Sequence, residues 1–212
     1  IIILFIMNKI KNIIFDFDGV IIDSNEIKEM AFIKSLNTFE KKYIDEFIQY
    51  HKNNLGIDRY TKLKYFSKNI LKSNEKFNLN LISNKFSKLV KENISKKIII
   101  KEVYNFIYEY NIKYNFFIIS SADENEIKWI SKKLNINSYF DEILGSSEIK
   151  KNQIQNLILN NRLVKKSTIY IGDTYSDYIA AKSNKIKFYG YNNLNLKKRG
   201  LSYLDKIKHL II

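Results

Sequence analysis

The chain has 212 residues, no cysteine, no proline and a formal net charge of +14, from 36 lysines and arginines against 22 aspartates and glutamates. The absence of cysteine excludes a disulfide framework, a thiolate metal site and a cysteine nucleophile, which fits a reducing, cytoplasmic setting, and the length accommodates one core domain with room for a second small one. The positive charge invites a nucleic-acid reading, but its excess is lysine rather than arginine and is spread along the whole chain, so it serves to attract anionic substrates and no nucleic-acid partner is expected.

The N-terminal run Ile1–Met7 is apolar. It is too short to span a bilayer and lacks the basic region and cleavage site of a secretory signal, and no later apolar run approaches the roughly 18 residues of a membrane helix. Met7 is therefore read as the start, with residues 1–6 a non-native or disordered leader; the alternative is an extra edge strand or a small membrane-seeking tail. A first strand is expected over 10–16. The following region, 25–97, carries helical periodicities, such as Ile27, Met30, Ala31 and Ile33, or Leu63, Phe66, Ile70 and Leu71, with no strand alternation.

After that helical insert, strand signals recur at 115–120, 142–144, 168–171 and 186–189. Helical patterns fall between them at 102–110, 124–134, 153–160 and 176–183. Strands alternating with helices predict an α/β fold with a doubly wound parallel sheet. The expected division is a core of residues 7–22 and 98–212 and a helical cap of residues 23–97, hinged at 19–25 and 96–101. The 15 tyrosines and 14 phenylalanines fall at helical or strand spacing within apolar stretches, which marks them as packing rather than base-stacking platforms.

Two acidic motifs stand out. Ile13-Ile14-Phe15-Asp16-Phe17-Asp18-Gly19 drives an apolar, β-rich stretch into two carboxylates that the strand period places on one side of the chain. Unpaired, desolvated carboxylates shift their pKa or demand a cation. The second motif, Thr168-Ile169-Tyr170-Ile171-Gly172-Asp173, ends another β-rich run in acid, with Asp177 four residues on. Two strands ending in acid can share one hard divalent ion, and Mg²⁺ is suited to a few carboxylates plus a substrate phosphate.

Asp16-Phe17-Asp18-Gly19, Gly172-Asp173 with Asp177, a serine after the apolar strand Phe116-Phe117-Ile118-Ile119-Ser120, and a lysine between them resemble the haloacid dehalogenase-like superfamily. The branch resembled is that of phosphoglycolate phosphatase and β-phosphoglucomutase, whose helical cap follows the first strand. The resemblance implies a Rossmann-like core and a Mg²⁺-dependent phosphatase acting on a small phosphorylated metabolite, such as a phosphosugar or phosphoglycolate-like compound, through an aspartyl-phosphate. It makes Asp16 the nucleophile and Asp18 the general acid/base. The implied metal ligands are a side-chain oxygen of Asp16, the backbone carbonyl of Asp18 and a carboxylate of Asp173, with Asp177 nearby; the alternative for Asp177 is that it favours the positive end of the following helix.

In the same resemblance the Ser120 hydroxyl and the Ser121 amide hold phosphoryl oxygens, the alternative for Ser120 being an ordinary helix cap. The lysine has two candidates, Lys150 and Lys151. Lys150 is preferred on its spacing from Gly145, and the proline that commonly follows this lysine in the family is missing. Gly56-Ile57-Asp58-Arg59 resembles the glycine-then-arginine segment placed over the site, which makes Arg59 the expected substrate contact, against a solvated helical arginine. His51 is a second candidate for that contact and otherwise reads as an ordinary surface residue. A phosphomutase would use the same aspartates, and a rival of another class is a non-enzymatic basic interaction module with structural acid pairs.

Overall fold

Nine helices and six strands organise the residues that a computed structural model describes, 9–72, 77–95, 98–146 and 148–210. The first apolar stretch forms β1 (Asn12–Phe15), and the helical insert that follows carries α1 (Asn25–Ser35), α2 (Lys41–Asn53), α3 (Arg59–Tyr65) and α4 (Leu79–Asn93). The chain then alternates, through α5 (Lys101–Tyr110), β2 (Asn115–Ile119), α6 (Glu124–Lys133), β3 (Glu142–Leu144), α7 (Lys150–Asn160), β4 (Thr168–Gly172), α8 (Tyr175–Ser183), β5 (Lys187–Tyr191), α9 (Leu194–Lys198) and β6 (Tyr203–Leu204). The strands form one parallel sheet in the order β3-β2-β1-β4-β5-β6.

Alternation along each central strand divides the apolar side chains between two layers. Ile13, Phe15, Phe116, Ile118, Ile169 and Ile171 face one layer, while Ile14, Phe117, Ile119 and Tyr170 face the other, with Ile154, Leu157, Ala180 and Ala181 of α7 and α8. Burial on both faces is the reason these strands read as continuous apolar runs. Phe15 sits in register with Ile118 on one side and Ile171 on the other, so the three strands end at one level and deliver their following residues to one edge.

The inserted helices have an aromatic core of their own. The Phe66 ring lies 5.3 Å from Phe39, 5.2 Å from Phe47 and 5.8 Å from Phe77, and Phe32 lies 5.1 Å from Phe47 and 4.3 Å from Phe86. Three details differ from the sequence reading. The first strand stops at Phe15 rather than continuing to 16, because the chain turns: the amides of Ile21 and Ile22 both donate to the Phe17 carbonyl. The expected strand over 186–189 runs to Tyr191, and both α9 and β6 went unanticipated, being too short to carry a period. The leader at residues 1–6, Met7 and part of the 96–101 hinge lie outside the described residues. Among the described residues, no helix is long and apolar enough to cross a membrane.

Phe66 is fully buried at the centre of these rings. Phe66→Ala is expected to destabilise the helical insert by about 3–5 kcal/mol, the usual cost of emptying a phenylalanine site, read as a lowered urea midpoint or an early separate transition. A loss below about 1 kcal/mol would show that the insert is loosely packed.

Candidate active site

At the carboxyl end of β1, Asp16 is buried, and its amide donates to the Ile171 carbonyl of the neighbouring strand. The Lys150 ammonium, from the first residue of α7, lies 2.9 Å from Asp16 Oδ2 and 2.5 Å from Asp177 Oδ1. Lys150 is buried and Lys151 is exposed, so adjacent positions on one helix start separate the two candidates. Asp177 sits at the start of the following helix, as the alternative reading expects, and also faces the lysine. Its Oδ2 accepts from the Thr174 amide and hydroxyl in a capping box at the start of α8, while its Oδ1 faces Lys150.

Asp16, Asp173 and Asp177 each present a carboxylate oxygen within 4.8 Å of the others. When ionised, these three carboxylates exceed the one ammonium among them by two charges. Asp173 Oδ1 is buried without a hydrogen-bond partner. Burial pushes the Asp16 carboxyl up to about 7 against the pull of Lys150, and burial followed by repulsion from Asp16 and Asp177 raises Asp173 well above the carboxylate range. Burial alone would lower the Lys150 pKa, but Asp16 and Asp177 hold it well above its ordinary value. A surplus of two negative charges, hard oxygen donors and an unpartnered buried carboxylate oxygen suit a divalent cation, which would return the carboxylates to their ionised forms.

Asp18 departs from the strand-end pair with Asp16, because the turn after Phe17 redirects it. It accepts from Ser24 Oγ at 2.5 Å and pairs with Lys28 of α1 at 2.5 Å. Burial favours its neutral form, yet Lys28 and Ser24 bring its pKa below the usual carboxylate value. The turn depends on Gly19, whose φ of +79° is a conformation that side chains disfavour and whose missing Cβ would overlap the Asp173 carboxylate.

Ser120 is buried after β2, and its Oγ accepts from the Ala122 amide; the cap of α6 is Asp123 rather than Ser120. Ser121 Oγ donates to the carbonyl of Gly56 at 2.9 Å. Gly56 also lies against Ser176 and Thr174, where a side chain would collide. The inserted helices thus touch the sheet's edge through bare backbone.

A cavity of about 60 Å³ remains between the two parts, lined by Asp16, Ser120, Lys150 and Asp173 below and by Phe32, Arg59, Lys62 and Phe86 above. Arg59 is not solvated: its side chain is 9% exposed and pairs at 2.8 Å with Glu126, which also accepts from Ser87 Oγ. His51, expected on the surface, is buried against Phe32 because α2 turns it toward the cavity. Lys28, Lys62 and Glu126 are lining residues that sequence reasoning missed. Each looks like an ordinary charge on a helix, and no spacing marks it.

The family profile described as haloacid dehalogenase-like hydrolase matches residues 13–191. Among curated proteins no relative matches the chain by sequence. Several solved structures share its fold. β-Phosphoglucomutase from Clostridium difficile is 22% identical, with a TM-score of 0.74 over 95% of this chain and 93% of its own. A predicted phosphoglycolate phosphatase from Haemophilus somnus is 18% identical, with a TM-score of 0.74 over 93% and 94%. A Bacillus subtilis protein described as a HAD-hydrolase bound to magnesium is 13% identical, with a TM-score of 0.74 over 95% and 97%. With the profile spanning most of the chain, including both acidic motifs, this protein belongs to the haloacid dehalogenase-like hydrolase family.

Proposed function

We propose that the protein is a Mg²⁺-dependent phosphatase that hydrolyses a small phosphomonoester through an aspartyl-phosphate on Asp16. The observation that carries this reading is the buried set of Asp16, Asp173 and Asp177 around one lysine, with Asp173 Oδ1 unpartnered, beneath the cavity. Such a site gains nothing as a stability device, since a buried surplus of like charge is costly without a ligand.

In the first step the Asp16 carboxylate attacks phosphorus in line, the ester bond breaks, and the leaving oxygen takes a proton from Asp18. In the second, Asp18 removes a proton from water as it attacks the aspartyl-phosphate, releasing phosphate and restoring Asp16. The Lys28 contact favours the ionised form of Asp18, the form that the second step needs, so Asp18 must take up a proton before the first. The Ser120 hydroxyl, the Ser121 amide and Lys150 hold the phosphoryl oxygens. The Asp16 side chain, the Asp18 carbonyl and Asp173, with Asp177 nearby, would hold Mg²⁺, which would supply charge neutralisation between the attacking carboxylate and the phosphate. Residues 23–97 act as a cap on a core of residues 7–22 and 98–212. Arg59, braced by Glu126, shapes the wall that the rest of the substrate meets.

A screen of phosphorylated metabolites for phosphate release tests the activity, and release rather than isomerisation of a sugar phosphate is the expected result. Asp16→Asn keeps the side chain's size but cannot attack phosphorus, so turnover should fall below about a tenth of wild type with folding intact; retention of more would assign the nucleophile elsewhere.

Chelator is expected to abolish turnover. Mg²⁺ should also raise the melting temperature, by about 2.7 kcal/mol of stabilisation at a hundred times its dissociation constant. The rise should vanish in Asp173→Asn, and a rise that persists there would place the ion elsewhere.

Gly56→Ala puts a methyl group against Ser176 and Thr174. It should hold the cap off the sheet edge and cut kcat/KM by about ten- to a hundredfold, the range expected for small misplacements, with no change in the melting temperature of the core. Unchanged kcat/KM would mean that this contact does not form during turnover.

A further inference from the structure

The chain leaves β5 at Tyr191 and places two asparagines, Asn192 and Asn193, beside the loops that carry the acids. The Asn192 side-chain amide donates to the Gly19 carbonyl at 3.0 Å, and that of Asn193 donates to the Asp173 carbonyl at 2.6 Å. Both bonds end on backbone, one at the residue after Asp18 and the other at Asp173 itself. Parallel pairing of β4 with β5, with Gly172 opposite Gly190, brings the loop after β5 alongside the loop after β4. Asn192 reaches past that neighbour to the loop after β1, across 173 positions of sequence.

Local folding alone does not require either amide. Asn192 has a φ of +52°, a left-handed conformation that glycine adopts at no steric cost. Asn193 caps α9 by accepting from the Asn195 amide at 3.1 Å, which a serine does as well. What the two asparagines add is a pair of donors aimed at loops that repel one another, since Asp16, Asp173 and Asp177 crowd around one ammonium. Gly19 is held at both ends, its amide donating to the Ile22 carbonyl at 2.7 Å and its carbonyl accepting from Asn192. A Cβ at Gly19 would overlap the Asp173 carboxylate, so the two acidic loops touch at this point. Fixing the backbones of Gly19 and Asp173 therefore fixes how the Asp18 carbonyl and the Asp173 carboxylate stand relative to each other.

We propose that Asn192 and Asn193 are positioning residues, a strap from the loop after β5 that holds the Asp18 carbonyl and the Asp173 carboxylate in place for a divalent cation against the mutual repulsion of the acids. This rests on the metal site of the phosphatase reading above and deepens it, assigning part of the ion's affinity to a loop that contributes no ligand. Groups that orient metal ligands from behind are typically worth about ten- to a hundredfold in affinity. Asn192 is exposed and Asn193 half-buried, so replacing them empties no part of the apolar core.

The test titrates the metal-free full chain with Mg²⁺ by calorimetry and records the melting temperature of each protein without metal. Asn192→Gly keeps the left-handed turn and Asn193→Ser keeps the cap of α9. Neither changes the charge, so a weaker grip on the ion cannot come from lost attraction. Each should raise the Mg²⁺ dissociation constant about tenfold, and the double variant up to about a hundredfold, while the metal-free melting temperature stays within about 2 °C of wild type. Asn193→Ala, which loses the cap as well, should bind Mg²⁺ as weakly as Asn193→Ser but melt earlier. A merely structural role gives the reverse pattern, with intact affinity in the glycine and serine variants and a loss in Asn193→Ala alone, and that pattern would overturn the proposal.

Phosphate release measured on the same proteins separates this inference from the phosphatase reading. Weakened Mg²⁺ binding in the variants of a protein that releases no phosphate from any metabolite would uphold the strap and reject the phosphatase. Phosphate release by variants that bind Mg²⁺ as tightly as wild type would uphold the phosphatase and overturn the strap. Wild type that binds no Mg²⁺ in the calorimeter would overturn the strap whatever its turnover.

Discussion

Everything at the site depends on one buried ammonium, that of Lys150, placed between Asp16 and Asp177 with Asp173 beside them. A single positive charge cannot neutralise three carboxylates, and the low dielectric at the sheet's edge makes the shortfall costly. The fold keeps the acids together because parallel register fixes the ends of β1 and β4 at one level, and because Asp177 is also bound into the cap of α8. Tyr170 closes the arrangement from behind, with its hydroxyl donating to the Ile119 carbonyl and lying 3.4 Å from Asp177. The strain of this assembly is electrostatic, and a bound cation would relieve it.

The inserted helices meet the rest of the chain at three points, one through backbone and two through ion pairs. Gly56 brings backbone against Ser121, Thr174 and Ser176, where even a methyl group would intrude. Lys28 reaches Asp18 from α1, and Arg59 reaches Glu126 from α3. The ion pairs are nearly enclosed, so each is geometrically demanding, and losing one partner would leave an unmatched charge. The inserted helices and the sheet edge are therefore matched by charge as well as shape.

Much of the fold and part of the site were legible in the sequence. Asp16, Asp18, Asp173 and Asp177 announce themselves because acids at the ends of apolar strands contradict the pattern around them, and strand-helix alternation has only a few topological solutions. Lys150 was favoured over Lys151 from spacing, and the two part as buried and exposed because they occupy different faces of α7. His51, in contrast, reads as a surface residue, since a histidine among lysines and asparagines carries no local sign of burial.

The sequence by itself determined where five of the strands lie along the chain, the helical insert after the first of them and the acids at the strand ends, because apolar periodicity and buried charge leave local signatures. Only the tertiary structure decided which charges meet. Asp18 turns from Asp16 to Lys28, Arg59 goes to Glu126 across 67 positions, and Lys62 meets His51. These pairings join separate elements, and no period in a linear chain encodes a contact that exists only after helices dock on a sheet edge.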